Sequence, residues 1–216
     1  LSNPGLGNSL SAILTTLEKI QKALSDYLEN QRQLFARFYF IGDDDLLEII
    51  GNSKELVNIQ KFFSKMFSGI NSVGESSSKV IDSIISKEHE VIPLSSKIDI
   101  LKFDKIYLWL QSLEDQTVCS LVNLNNSCLH KWGENGEDKI NSIVSNFPAQ
   151  IIILSFIVYW THLVEESIAN NSLAKVCELL DEYLKNMAEV VLQEIPPLIR
   201  KKYEHLITEI VHKRNV

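Results

Sequence analysis

Three adjacent aspartates, Asp43, Asp44 and Asp45, follow four aromatics, Phe35, Phe38, Tyr39 and Phe40, in the stretch "RQLFARFYFIGDDDLLEIIGNSK". Clustered carboxylates are the residue type that holds a hard divalent cation. Chain neighbours point in different directions, however, and a calcium loop spaces its ligands at alternate positions and closes with a glutamate about twelve residues on. That pattern is absent. The apolar residues Leu46, Leu47, Ile49 and Ile50, stopped by Gly51, suit a short helix instead. Aspartates at its start would accept from free N–H groups and offset the positive helix end, with Asp45 and Glu48 at capping-box spacing.

No other set of reactive residues assembles. The five histidines form no H-E-x-x-H pair, and Cys128 with His130 is too close and too isolated for a zinc site. His162 and Glu166 share a helix face at i, i+4, which suits a surface pair. No serine sits in a G-x-S-x-G elbow, and Gly5–Gly7 lacks the lysine of a phosphate loop. Catalytic, metal and cofactor residues are therefore not expected in this chain. The basic end, Arg200, Lys201, Lys202, Lys213 and Arg214 among Glu204 and Glu209, reads as a solvated helix face.

The elements around these residues are mostly helical. Leu10, Ile13, Leu14, Leu17, Ile20, Leu24, Tyr27, Leu28, Leu34, Phe35 and Phe38 keep the three-and-four spacing of one helical face, which predicts a helix of about seven turns packed on neighbouring helices. After the acidic turn, "SKELVNIQKFFSKMFSGI" predicts a second helix, with Ser53 as N-cap and Gly69 as its stop. "NSVGESSSK" reads as a surface loop. Residues 79–100 are rich in Val and Ile and predict a β-hairpin turning through "SKEHE". Helical spacing returns over 102–132. Further helices are expected from about Pro148 to Ala169, from Ser172 to about Glu194, and after Pro196–Pro197, where proline must end one helix and begin the next. A soft subdivision at 133–146 separates 1–135, helices plus hairpin, from a helical part at 145–216.

Composition agrees with a mainly α fold, an elongated helical-bundle arm carrying one hairpin. The 216 residues are 45% apolar with only 8 Gly and 5 Pro, enough to bury a core. The net charge of −7 argues against nucleic-acid binding. Three cysteines at irregular spacing suit reduced, buried thiols in a cytosolic protein. "FPAQIIILSFIVYWTHLVEES" has a continuous apolar core of only about ten residues, where a membrane span needs about twenty, so it reads as a buried helix. The chain opens on "LSNPGLG" without Met and is read as a segment of something longer.

The opening stretch strongly resembles the linker region of dynein heavy chains, where a long helix runs into an Arg-Phe-Tyr-Phe segment and a short Asp-Asp-Leu-Leu-Glu-Ile turn. The Ile-Gly-Asp-Asp-Asp version ending in Ile-Ile-Gly looks closer to the cytoplasmic than to the axonemal type. The resemblance continues through "EKIQKALSDYLENQR", "EHEVIPLSSKIDI", "WLQSLE", "FPAQIII" and "VHKRNV", in the family's order. One departure is Ala36, where the family commonly has proline; alanine lets the first helix run on.

The resemblance implies the C-terminal half of the linker: a mechanical lever lying across a ring of AAA+ ATPase modules of the same heavy chain, in a dimeric cytoplasmic motor working on microtubules. ATP and Mg would belong to the ring. Phe35, Phe38, Tyr39 and Phe40 would be a core anchor, Asp43–Asp45, Leu46, Leu47 and Gly51 would bound the short helix, and His212, Arg214 and Val216 would lead toward the ring. The residues alone also leave open a stand-alone helical scaffold or adaptor, binding partners through the 10–38 seam, with no nucleic acid and no membrane insertion.

Overall fold

The computed structural model describes residues 6–77, 79–134, 136 and 138–215. Val216 lies outside the described residues, as does Gly5. Among the described residues the fold is mainly α: nine α-helices and one three-stranded antiparallel sheet. Two compact units divide at Gln116 and Thr117, inside one helix, while 133–146 falls within the second unit.

The first unit begins with α1 (Leu6–Leu34). Thr15 and Thr16 bond back to the carbonyls of Ser11 and Ala12, as hydroxyls in exposed helix interiors do. The expected run through Phe38 does not form. Phe35 turns extended (φ −142°, ψ 102°), and Ala36–Phe40 winds into a 3-10 turn. Alanine would permit a helix there, but leaving it buries Phe35 and Phe38 edge-to-face, 5.0 Å between centroids. That burial outweighs local propensity.

The acidic turn forms α2 (Asp43–Gly51). The single helix expected next is two short ones, α3 (Leu56–Gln60) and α4 (Phe63–Met66), broken at Lys61 so that Leu56, Ile59, Phe62, Phe63, Met66 and Phe67 all reach the core. Ser53 does not cap: α3 starts after Glu55, and the chain leaves helix at Phe67, before Gly69.

The strands are β1 (Ser72–Ser77), β2 (Val80–Ile85) and β3 (Val91–Asp99), in the order β1-β2-β3. β2 and β3 form the expected hairpin. Ser86 Oγ accepts from the N–H groups of Glu88 and Glu90, and His89 takes φ 64° in the turn. Ile84 pairs with Ile92 and Ile81 with Ile98; the register shift between Ile81 and Ser83 lets isoleucines three apart both bury. The run expected as a loop supplies β1. A Cβ at Gly74 would stand 2.2 Å from Ser83 Oγ, so glycine admits the close approach of β1 to β2.

The first unit ends in the opening turns of α5 (Ile106–Gly133), where Trp109, Leu110 and Leu113 are buried. The remainder of α5 belongs to the second unit, with α6 (Lys139–Asn146), α7 (Ala149–Ala169), α8 (Leu173–Val191) and α9 (Pro197–Arg214). α6 falls within the soft subdivision at 133–146. Pro148 precedes α7, and Pro197 opens α9 at a position whose N–H would be unpaired in any case. Arg200 donates to the carbonyls of Val191 (2.8 Å) and Gln193 (3.1 Å), satisfying the end of α8. Among the described residues α7 is the one helix long and apolar enough to cross a membrane; one face of it, Ile151, Ile152, Ser155 and Phe156, is buried in this unit's core.

Trp132 centres that core, stacked on Tyr159 and tilted against Phe156. Its Nε1 donates to Ser155 Oγ (3.0 Å), which donates in turn to the carbonyl of Ile152 (3.1 Å) and lies 3.0 Å from Cys128 Sγ. Cys128 is buried as expected, but Cys119 and Cys177 are exposed.

Candidate functional site

Of the residues singled out by the sequence, Phe35, Phe38–Phe40, Asp43–Leu47 and Gly51 lie along the junction that follows α1, whereas His212 and Arg214 lie in α9. Asp43, Asp44 and Asp45 form the first turn of α2, beside the positive end of its dipole. The N-cap is Gly42, and no side chain caps the helix, so the expected capping box does not form. Two of the three carboxylates reach other elements instead. Asp43 Oδ1 accepts from Arg32 Nη2 of α1 at 2.6 Å, and the same nitrogen donates to the carbonyl of Ile41 at 3.1 Å. Asp45 pairs with Lys65 of α4, and Glu48 with Lys61. Asp43 and Asp45 thus fasten α2 to α1 and α4, and no group of three or more metal-ligating side chains occurs among the described residues.

Beneath it Leu46 and Ile49 are fully buried, Leu47 is half-buried, and Gly51 closes the helix. The four aromatics divide. Phe35 and Phe38 are core; Tyr39 is exposed and Phe40 is 70% exposed, so the anchor is two rings rather than four. The 3-10 turn, with three residues per turn, cannot keep consecutive aromatics on one face. Tyr39 Oη donates to Glu29 Oε1 at 2.8 Å, and that bond to a carboxylate holds its phenol above the ordinary tyrosine range.

The sequence reading gives no site role to Arg37, Trp109 or Glu114, although each lies in a motif that carries the resemblance. Trp109 Nε1 donates to the carbonyl of Ser53 (3.2 Å), the role Ser53 has in place of capping. Arg37 pairs with Glu114 of α5 at 2.8 Å. An arginine set among aromatics at 35–40 was the available signal, since such a residue buries its stem and needs acceptors.

The seam of α1 is largely uncovered. Leu10, Ile13, Leu14, Leu17 and Ile20 are each between 55% and 59% exposed, and Leu28 is the first of the series to be buried. Among the described residues of the first unit, no helix covers it.

In the second unit, Lys139 opens α6 among Trp132, Tyr159 and Tyr183, its Nζ 2.8 Å from Tyr183 Oη and donating to the carbonyl of Trp132 at 3.2 Å. Burial pushes the Lys139 ammonium down and the Tyr183 phenol far up. At the basic end, Lys202 is buried and donates to the carbonyl of Phe147 (2.7 Å), which departs from the expected solvated face. Lys213 pairs with Glu209 and lies over the Trp160 ring, Arg214 pairs with Asp181, and His212 is exposed. His162 and Glu166 are exposed on α7.

Residues 1–128 match the family model described as Dynein heavy chain, N-terminal region 2. The chain is 41% identical over 218 residues to the cytoplasmic dynein heavy chain of Paramecium tetraurelia, which covers 99% of the chain. It is 39% identical to that of Dictyostelium discoideum over 93% of the chain, and 37% identical to that of Drosophila melanogaster over all of it. It spans 4% to 5% of the length of these relatives. With more than half of its residues inside that family model and near-complete coverage by these relatives, the chain belongs to the dynein heavy chain family.

Proposed function

We propose that the chain is the C-terminal half of the linker of a cytoplasmic dynein: a lever that carries the ATP-driven change of the AAA+ ring of the same heavy chain into a power stroke along microtubules. ATP and Mg act in the ring, the parent works as a cytoplasmic, cytoskeleton-associated dimer, and the segment takes up no nucleic acid and inserts in no membrane. The observation that carries this reading is the junction after α1. A 29-residue helix ends where two buried phenylalanines and the Arg32–Asp43 pair grip its last turn. A close-packed grip cannot change volume cheaply, so displacement at one end appears at the other. His212 and Arg214, near the end of α9, lead toward the ring.

The uncovered seam of α1 favours a second reading, a helical scaffold that binds partners through that stripe. Inserting a flexible Gly-Ser segment after Gly51 in the full-length heavy chain separates the two. A lever predicts lost microtubule gliding with basal ATP turnover retained. A scaffold predicts that gliding of purified motors survives the insert.

A further inference from the structure

Arg37 is the second residue of the 3-10 turn that follows α1 and holds three neighbours at once. Nη1 donates to the carbonyl of Met66, the last residue of α4, at 2.9 Å. Nη2 donates to Glu114 Oε1 on α5 at 2.8 Å. The guanidinium carbon sits 4.7 Å from the centroid of the Phe67 ring, and Nε is buried without a hydrogen-bond partner. The Met66 carbonyl is one that a helix end leaves open, and Arg37 satisfies it.

The geometry matters more than the charge. Arg37 and Glu114 are each about one-third exposed on the side chain, so solvent screens the ion pair as such. The guanidinium is a rigid planar fork, and both of its directed bonds plus the stacking fit only one orientation. Rotating the turn against α5 would break them together. Only Phe35 separates this turn from the end of α1, so what orients the turn orients the helix.

We propose that Arg37 is a positioning residue that sets the angle at which α1 leaves α5. It rests on the lever reading above, in which one held angle is what transmits displacement. Arg37→Met keeps the stem and removes the fork; Glu114→Gln removes the charge but keeps an accepting oxygen. The test places a donor and an acceptor dye at Lys19 and Gln111, both exposed, in the full-length heavy chain and reads single-molecule energy transfer.

The parent and Glu114→Gln should each give one narrow distribution, and Arg37→Met should lose it for a broad one. A narrow distribution in Arg37→Met overturns the proposal, whether or not its melting midpoint falls. So does equal broadening in both variants, which would assign the effect to charge. Broadening in Arg37→Met alone, with gliding velocity unchanged, supports the positioning role and counts against the lever reading instead.

Discussion

Arg32 Nη2 stands 2.6 Å from Asp43 Oδ1 and 3.1 Å from the carbonyl of Ile41, so one nitrogen at the end of α1 ties both the residue before the Gly42 N-cap and the first residue of the acidic triplet. The aspartates are thereby part of the joint between two helices. Replacing Asp43, Asp44 and Asp45 together by alanine should lower stability by roughly 1–2 kcal/mol, because exposed ion pairs contribute about 0–1 each and the dipole adds a few tenths. Thermal melts of the chain in low and high salt measure this. The loss should shrink in high salt, and calcium or magnesium should leave the parent's midpoint unchanged. A metal-dependent rise would restore the cation-site reading.

Ser155 accepts the indole N–H of Trp132 in a fully buried position. Ser155→Ala leaves that donor without its acceptor, so the second unit should lose about 1–3 kcal/mol in denaturant titration. Loss well under this would mean the indole finds another acceptor.

The three thiols should differ in reactivity. Burial raises the Cys128 thiol, whereas Cys119 and Cys177 are exposed. Mass spectrometry after brief iodoacetamide treatment of the native chain should find two modified cysteines, with Cys128 labelled only on unfolding. Early labelling of Cys128 would contradict the packing around Trp132.

Tyr203 donates to Asn141 Oδ1, and burial followed by the charge of Asp138 raises its phenol; Tyr183 is raised in the same direction. Below the unfolded tyrosine pKa of about 10 both states hold the proton and the stability is fully present. Above it the unfolded chain ionises first, so stability falls with pH. Tyr203→Phe should therefore cost about 1 kcal/mol near neutral pH and progressively less above about pH 10. A penalty that stays constant to pH 11 in urea titrations would mean the phenol ionises as freely folded as unfolded.

Much of this architecture is legible in the residues. The 3.6 period from Leu10 to Leu28 marks α1, Pro148 and Pro197 mark the starts of α7 and α9, and "SKEHE" marks the β2–β3 turn. What is not legible depends on partners distant in sequence. Phe35 leaves the helix because Phe38 and the unit core reward its burial, and no window around Ala36 contains that information. β1 is a strand because β2 lies beside it, although "SVGESS" has little β propensity of its own. Lys61 splits a continuous helical pattern because six apolar side chains from 56 to 67 must all point inward. Of the candidate site, the two buried rings and the acidic turn could be read in advance. The aromatic setting of Arg37 hints at a buried stem, but its acceptors could not be read, since they lie 29 and 77 residues away.

The central claim, that the junction after α1 transmits force, is tested most directly with Phe38, which is fully buried. Phe38→Ala should cost about 3–5 kcal/mol of local packing. The measurement is microtubule gliding velocity and basal ATP turnover on the same full-length motor, with the exposed Lys87→Ala as control. The lever account predicts that Phe38→Ala reduces velocity far more than turnover and that the control changes neither. Normal gliding despite measurable destabilisation, or equal loss of gliding and turnover, would contradict it.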